Sequence, residues 1–370
     1  MIRSGSGIYY GHFSGLLAGT LAAGPYAVNT TSNNSFVNGQ PVFTFQNPFA
    51  APNSAGSLNI TGINPHLKNS MAIQYNLTAE RELGRDLAVR VRYIGSKGEQ
   101  LPYLRDANQI YPSSTKYDAA RKPYSQFSIV SYGDNGANSL YSGLQVQVQK
   151  RMSKGLMFSS AWTWAKELTE VDDTGNQELN TAIENAYDRR RDRGNAYAVP
   201  RHQWMNNALY ELPGKGMLLG GWQINTLFNL STGNWLNPIW TGIDPANVNV
   251  TALRPDQVAP ITYPKTQSQW FDPAAFAAPT NGRFGNAARN SIEGPGYVIL
   301  NAGLLKNVRF ERAGEVQLGA SFQNVLNHVS LGAPSTTINS QATVATITAT
   351  HVFAPAGTAR TGQLSLRWSF

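Results

Sequence analysis

The sequence predicts an all-β fold, an antiparallel β-barrel that spans a membrane, from three observations. Apolar and polar residues alternate along many short segments, tight turns join these segments in pairs, and long connections separate the pairs. Alternation with a period of two sends successive side chains to opposite faces of a strand. Short turns at one end and long loops at the other are typical of transmembrane β-barrels.

The clearest hairpin covers residues 72–93, where alternation is interrupted only by a Gly-Arg-Asp turn at residues 84–86. Three further hairpins follow the same plan, at residues 144–162, 204–230 and 298–323. A last alternating strand ends at Phe370, and residues 5–10 are interpreted as an additional first strand, for about ten strands in total. A tight turn between alternating segments is the usual signal of a hairpin.

Long connections separate the hairpins, and they are expected to be structureless external loops. They span residues 11–70, 95–139, 166–202, 231–297 and 324–361. Compact soluble domains rarely contain several loops of this length. If Phe370 lies at the periplasmic end, every short turn falls on the periplasmic side. The chain is therefore divided into an upstream strand and loop over 1–71 and hairpin repeats over 72–370, all in one barrel domain.

Alternation also predicts which side chains face lipid, and aromatic residues near strand ends are expected at the membrane interface, where the ring is apolar and its N–H or O–H stays wet. Packing in a protein core is the alternative for each aromatic ring. The residues predicted to face lipid are Ile73, Tyr75, Leu77, Val89, Val91, Val146, Val148, Ile224, Phe228, Leu318, Leu364 and Leu366. The predicted interface aromatics are Tyr93, Trp162, Trp204, Tyr210, Trp222 and Trp368.

Composition excludes several classes of protein. Charged residues make up only 14% of the chain, where soluble domains carry about 25%. There is no cysteine, which excludes disulfides and thiolate metal sites. The net charge is +8, but the basic residues are scattered, and the one run, at residues 189–193, is interrupted by Asp192. That run is interpreted as a solvated loop, and nucleic acid is not expected as a partner.

No motif of catalysis or cofactor binding is evident, so the protein is not expected to be an enzyme or to hold a cofactor or metal. The five histidines lie far apart in the sequence, without the spacing of metal ligands. Glu170, Asp172, Asp173 and Asn176 could together bind calcium, but they do not match a calcium loop, and a solvated loop is the favoured interpretation. Neither a dinucleotide fingerprint nor a nucleophile elbow is present.

Several segments together resemble one known family, the Oar-like TonB-dependent receptors that carry a carboxypeptidase-regulatory-like domain at the amino terminus. The resemblance rests on residues 74–96, 141–166, 192–212 with the Arg201-His202 pair, 270–305, 322–328 (FQNVLNH) and the terminal LSLRWSF. The family usually has an acidic residue before the Arg-His pair, whereas this chain has Val199 and Pro200.

In such receptors about 22 strands enclose a plug, and TonB pulls on an amino-terminal box. The resemblance implies that this chain is roughly the last ten strands, without plug or box, of a receptor in the bacterial outer membrane. It also implies uptake of a scarce nutrient: a siderophore, cobalamin, a glycan or a peptide. The implied partners are outer-membrane lipid and lipopolysaccharide, the barrel-assembly machinery reading Phe370, an unknown small ligand whose binding residues are not assigned, and TonB through the missing part.

Two alternatives remain open from sequence. The chain could be a small passive pore or adhesin built on ten strands, or a secreted β-sandwich that binds glycans through Trp235, Trp240 and Trp270. The mildly apolar stretch at residues 15–23 lacks the basic segment of an export signal. The amino terminus is therefore interpreted as the middle of a longer protein.

Overall fold

The computed structural model describes residues 1–11, 36–37, 40–41, 58–171, 182–310, 314–351 and 359–370. Ten long strands form one antiparallel sheet in which strands adjacent in this series are neighbours in space. They are β1 (Ile2–Gly11), β2 (Ser70–Glu82), β3 (Leu87–Asp106), β4 (Phe127–Ser153), β5 (Leu156–Thr169), β6 (His202–Glu211), β7 (Trp222–Ser231), β8 (Tyr297–Phe310), β9 (Gly314–Gln323) and β10 (Thr361–Ser369). The all-β fold class and the count of about ten strands are confirmed.

Shorter elements decorate the sheet. Leu58–Ile63 runs parallel to β4, and Gly194–Asn195 pairs with the end of β5. Short strand pairs join Phe36–Val37 to Gln40–Pro41, Trp235–Leu236 to Ile292–Glu293, Trp240–Thr241 to Ala252–Leu253, and Asp256–Gln257 to Phe276–Ala277. The helices found in the described part of the chain are three 3₁₀ turns (Ala119–Arg121, Arg189–Asp192 and Pro273–Ala275) and one α-helical turn, α1 (Gly216–Leu219). Within the described residues, no helix is both long and apolar enough to cross a membrane.

The strands β3 and β4 are longer than their alternation predicts. The sequence predicts a loop from 95 to 139, but β3 continues to Asp106 and β4 begins at Phe127. Register shifts between Gly98 and Leu101, and again between Leu101 and Pro102, break the period of two. Such irregularities leave a residue unpaired and bend the strand, so the extension does not show in the pattern of hydrophobicity.

The connection between β6 and β7 is also more than the predicted Pro-Gly turn, because it contains α1. The indole Nε1 of Trp222 and the ammonium of Lys306 each donate to the carbonyl of Leu218 at 2.9 Å. These bonds satisfy a carbonyl at the end of the short helix, a group that has no partner within the helix itself.

The register places every residue predicted to face lipid, and every predicted interface aromatic, on one face of the sheet. Directly paired residues of antiparallel strands project to the same side. Val91, for example, pairs with Ala79 and Val146, and Val146 pairs in turn with Trp162. We call this side the apolar face. Its contact with lipid remains a prediction.

The opposite side, the polar face, is lined by amide, hydroxyl and charged groups. Gln317 donates to Asn307 at 2.9 Å, and Arg90 pairs with Glu80 at 3.0 Å. Cross-strand pairs of this kind stabilise neighbouring strands. The sheet thus has two chemically different faces, as a wall between lipid and water requires.

No second sheet packs on the apolar face among the residues that the structure describes. Leu77 is 53% exposed and Leu364 is 83% exposed. A β-sandwich buries one face of each sheet in a common core. The expectation of a secreted sandwich therefore does not fit this fold.

The hydrophobic core of the molecule lies at the end of the sheet where the long connections are. We call the described residues of four of these connections the cap: 107–126, 170–171 with 182–201, 232–296, and 324–351. The expectation of structureless loops is wrong for the cap, because it packs around three clusters of buried residues. Cluster 1 contains Leu236, Phe271, Ala275, Phe276, Ala287, Ile292, Ile338 and Ala345; cluster 2 contains Ile110, Ala246, Val248 and Phe284; cluster 3 contains Tyr103, Ala137 and Ile183.

Two strands form the edges of the sheet. Within the described part of the chain, β1 pairs along its length only with β2, and β10 only with β9. All residues of β10 are exposed. Each edge therefore presents a row of backbone donors and acceptors that could pair with a further strand.

Candidate functional site

The cap folds over the polar face of the sheet. Ala165, Ser231 and Ile299 are buried near the long-loop ends of β5, β7 and β8, and all three project from the polar face by register. On the opposite face at the same level, Trp164 is 48% exposed. The space enclosed by the cap is therefore on the side of the wall that carries polar groups.

A cavity of about 530 Å³ lies between the cap and the adjoining ends of β3 and β4. This volume is within the range of small-molecule sites, about 300–1,000 Å³. Its walls combine apolar and polar groups, as such sites usually do. The apolar walls come from Leu104, Ile129, Ala182, Ile183, Ile239, Val250, Ala252 and Leu253, and the polar ones from Arg105, Asp106, Gln109, Ser131, Glu184, Asp192, Asn237, Arg254 and Arg289.

A buried ion network forms one side of this cavity. The Arg254 side chain is only 4% exposed and pairs with the carboxylates of Asp192 and of Glu184, the latter at 2.8 Å. Arg191 binds the same Glu184 carboxylate at 2.7 Å. Buried charges are stable only when their partners are held in place. The network therefore gives the cavity a rigid charged wall.

The basic run at residues 189–193 contributes to this network, so its interpretation as a solvated loop is wrong. Asp192 is 2% exposed. Arg189 binds Glu170 at 2.7 Å and lies 5.2 Å from the ring of Tyr103. Burial alone would lower the pKa of Arg189, but the hydrogen bonds that Arg189 makes to Glu170 and Tyr103 raise this pKa above its usual value.

The contact between Arg189 and Glu170 also concerns the alternative in which Glu170, Asp172, Asp173 and Asn176 together bind calcium. Glu170 is 4% exposed and is engaged by Arg189. Asp172, Asp173 and Asn176 lie outside the described residues. Among the residues that the structure describes, no three His, Asp or Glu side chains converge as a metal site would require.

A second ion pair fastens the longest segment of the cap. Both terminal nitrogens of Arg283 bind the carboxylate of Asp256, at 2.6 and 2.7 Å, and the backbone N–H of Asn286 donates to it at 2.8 Å. Burial alone would raise the pKa of Asp256, but these donors hold it below its usual value. A Cβ on Gly285 would collide with the carbonyl of Arg254. The segment GRFGN therefore joins the two ion networks.

The FQNVLNH segment forms the corner where β9 enters the cap. Asn324 is 1% exposed and has a positive φ of 49°, a conformation that asparagine adopts more readily than most residues. Its side chain accepts from the backbone N–H of His328 and donates to the carbonyl of the same residue, both at 3.0 Å. This motif of the resemblance thus has a structural role.

The predicted interface aromatics lie on the apolar face, and none of them lines the cavity. Trp204 donates to Ser160 at 2.9 Å and meets the edge of Phe228, and Trp162 stacks on His202. Tyr93 lies beside Tyr75, and Trp368 beside Phe370, which is fully exposed. The predicted lipid-facing residues are likewise separate from the cavity.

The tryptophans proposed for glycan stacking are packed inside the cap. Trp240 and Trp270 pack against cluster 1, and the Trp270 indole donates to the carbonyl of Glu293 at 2.7 Å. Trp235 lies under the guanidinium of Arg201, 5.3 Å away. None of the three lines the cavity.

The cavity residues were not predicted from sequence. Glu184, Asp192 and Arg254 are separated by up to 70 positions along the chain, and each looks like an ordinary loop residue. The one available signal is the resemblance, since residues 192–212 and 270–305 carry family-like segments. These segments border the ion network.

The family model for outer membrane β-barrel domains matches residues 1–363 of this chain. The chain belongs to that family. The barrel domain therefore resides in the bacterial outer membrane, as predicted. No curated protein matches the sequence.

Three solved structures are similar to the barrel domain at low sequence identity. The outer membrane transporter YddB from Escherichia coli matches with 11% identity and a TM-score of 0.48, over 85% of this chain and 34% of that one. The FrpB iron transporter from Neisseria meningitidis matches with 14% identity, a TM-score of 0.40, and coverage of 83% and 32%. BauA, the ferric preacinetobactin receptor of Acinetobacter baumannii, matches with 12% identity, a TM-score of 0.41, and coverage of 80% and 29%. The barrel domain thus spans about a third of the length of these proteins.

Proposed function

We propose that the chain is part of an energy-coupled uptake receptor of the Oar-like TonB-dependent type, forming roughly the last ten strands of a larger barrel. The observation that carries the proposal is the cavity between the folded cap and the adjoining ends of β3 and β4. A scarce nutrient, such as a siderophore, cobalamin, a glycan or a peptide, would be captured there. An open passive pore does not need a packed cap over its polar side.

The unpaired edges of the sheet are a second observation in favour of a larger barrel. In hydrocarbon, each unpaired backbone N–H or C=O costs several kcal/mol. The exposed edges of β1 and β10 would therefore require further strands in a membrane. TonB would act on another part of the protein. The barrel-assembly machinery would recognise the exposed Phe370, and lipid and lipopolysaccharide would contact the apolar face.

The chemistry of the cavity favours binding over catalysis. Glu184 and Asp192 are paired with arginines. Asp106 accepts from the backbone N–H groups of Asn108 and Val130, at 2.9 and 3.0 Å. General acid–base catalysis needs a carboxyl group free to exchange a proton with the substrate. The acidic groups that line the cavity are committed to holding the structure.

Uptake by cells tests the proposal. Cells producing the full-length receptor would be given radiolabelled ferric siderophore, cobalamin, oligosaccharide or peptide, with and without an uncoupler of the inner-membrane proton gradient. One class should accumulate, and the uncoupler should abolish its accumulation. The variant Arg254→Met should lose this uptake, because it leaves the buried carboxylate of Asp192 without its ion-pair partner, a cost of about 3–5 kcal/mol.

Lys215→Met, at an exposed position outside the cap, is the control and should transport normally. Accumulation that persists with the uncoupler would point to a passive pore. Failure of all four classes to accumulate would contradict the proposed receptor.

A further inference from the structure

The apolar part of the cavity lining is aliphatic. Eight of the lining residues are leucine, isoleucine, valine or alanine, and within the described part of the chain none is phenylalanine, tyrosine or tryptophan. Sugars and aromatic ligand rings gain most from stacking on aromatic side chains. The lining therefore favours a ligand with aliphatic groups over a glycan or an aromatic chelator.

The charges that line the cavity balance one another. They belong to three arginines and three acidic residues: Arg105, Arg254, Arg289, Asp106, Glu184 and Asp192. A ferric chelate that carries several negative charges would lie against these three carboxylates, and like charges brought together cost several kcal/mol. The cavity therefore favours a ligand without net charge, either neutral or zwitterionic.

The buried ion network leaves few of these charges to a ligand. Both oxygens of Asp192 accept hydrogen bonds, one from the guanidinium of Arg254 and the other from the backbone N–H of Glu184. Both oxygens of Glu184 accept as well, one from the backbone N–H of Arg254 and the other from the guanidinium of Arg191, each at 2.7 Å. These carboxylates hold the cap together and would lose a partner if they turned to a ligand.

Two neighbouring residues of β3, Arg105 and Asp106, keep charged atoms that have no hydrogen-bond partner among the described residues. Asp106 is anchored through Oδ1, which accepts from two backbone N–H groups, while its Oδ2 remains able to accept. Arg105 contacts Asp134 through Nε at 3.5 Å, and its two terminal nitrogens remain able to donate. Ser131 also lines the cavity, and a hydroxyl group can both donate and accept. The cavity thus offers a ligand both donors and acceptors.

We propose that the cavity binds a short peptide with aliphatic side chains. A peptide backbone carries N–H or ammonium donors for Asp106 and carbonyl or carboxylate acceptors for Arg105. Its side chains match the aliphatic lining, and as a zwitterion it matches the balanced charge. The cavity volume of about 530 Å³ suits a ligand of this size, whereas cobalamin is much larger. The inference names the substrate class of the proposed receptor and rests on that function.

A comparison of ligands tests the aliphatic lining on the unmodified, full-length protein, purified in mild detergent. Equilibrium dialysis with radiolabelled trileucine should show saturable binding. Triserine has the same backbone and termini but no aliphatic side chains, so it should bind at least about tenfold more weakly. Cellotriose, cyanocobalamin and a ferric trihydroxamate should not displace trileucine at equal concentration.

A comparison of variants tests the two charged groups. Asp106→Asn keeps the Oδ1 acceptor of the two backbone N–H groups and replaces Oδ2 by an amide nitrogen that cannot accept. Arg105→Met keeps an unbranched apolar side chain and removes the guanidinium. Each change removes one charge-assisted hydrogen bond and should weaken trileucine binding about tenfold. Near-UV circular dichroism would verify that each variant keeps its folded cap, and the triserine comparison decides where a variant does not.

The matched control is the double variant Asp188→Asn/Arg190→Met. It makes changes of the same kind at two exposed positions of the cap that do not line the cavity. This variant should bind trileucine like the unmodified protein.

Three results would overturn the peptide site: triserine binding as tightly as trileucine, displacement of trileucine by one of the other nutrients at equal concentration, or unchanged binding in both folded single variants. Uptake separates this inference from the proposed function. Uncoupler-sensitive uptake of another nutrient class, without binding of trileucine, would refute the peptide site and leave the receptor. Binding of trileucine without energy-coupled uptake of any class would refute the receptor and leave the peptide site.

Discussion

The ten-stranded sheet, which we call the wall, and the cap are stabilised in opposite ways. The wall is a single layer whose apolar residues remain exposed, with Leu366 at 72% and Leu318 at 48%. The cap buries Phe271 and Ile292 completely, and it also buries the charged side chains of Asp192 and Arg254. One region depends on a surrounding apolar solvent, whereas the other contains its own core.

This difference shows from which contacts the apolar side chains of each region gain their contribution to stability. Burying a large apolar side chain is worth about 1.5–3 kcal/mol. In the wall, that gain would come from lipid, since no other part of the described structure covers the apolar face. In the cap it comes from the packing of one connection on another. Mutations in the two regions should therefore respond to different surroundings.

The largest expected effect is in the cap. Phe271→Ala removes a fully buried ring at the centre of cluster 1 and should destabilise the cap by about 3–5 kcal/mol. Urea unfolding followed by tryptophan fluorescence, together with limited proteolysis of the cap, would measure the loss. Leu326→Ala, at a side chain that is 56% exposed, is the control and should change little. If the two variants unfold alike, the cap does not have the core described above.

A smaller effect is expected in the wall, and only on one face. Val146→Lys places a charge on the apolar face in the middle of β4 and should cost about 2–4 kcal/mol in a bilayer. Gln145→Lys, on the polar face of the same strand, should be tolerated. Folding into lipid vesicles, titrated with urea, measures both. Equal penalties at the two neighbouring positions would show that the faces are assigned wrongly.

The smallest effect concerns the response of the cap to acid. The pKa of Asp256 is lower in the folded protein than in the unfolded chain. Its contribution to stability is therefore present above the unfolded pKa and is lost as the pH falls through the folded one. Asp256→Asn should flatten the loss of cap stability below about pH 4, near the ordinary pKa of aspartate. Asp188→Asn, at an exposed carboxyl group, is the control, and an unchanged acid response in Asp256→Asn would contradict the assignment.

The strands of the wall could be predicted from sequence because the alternation of apolar and polar residues is a local pattern. Alternation at Gln145, Val146 and Gln147 depends only on neighbouring positions, and the register then carries it across the sheet. The prediction stopped short at the ends of β3 and β4, where glycines and a shift of register interrupt the period. The turn at Gly216–Leu219 was missed for a related reason, since Lys306, which donates to the carbonyl of Leu218, lies 88 positions away on β8.

The cap and its cavity could not be predicted in this way, because their contacts join distant positions. Arg254 looks like an isolated basic residue until Asp192 and Glu184 are brought to it by the fold. The basic run was misinterpreted for this reason, since the sequence shows its charges but not the carboxylates that bind Arg189 and Arg191. Resemblance to a family indicated the right segments without explaining what they do.

The composition of the clusters also constrains the order of assembly. Cluster 1 takes residues from the connection between β7 and β8 and from the one between β9 and β10, and cluster 2 joins residues 107–126 to the former. A single connection can therefore bury few of its apolar side chains before the neighbouring connections have folded. Contacts between residues that are far apart in the sequence form slowly. We therefore expect the cap to fold late, after the strands of the sheet have paired. Until then, the apolar side chains of the unfolded connections are exposed, and the chain needs protection from aggregation.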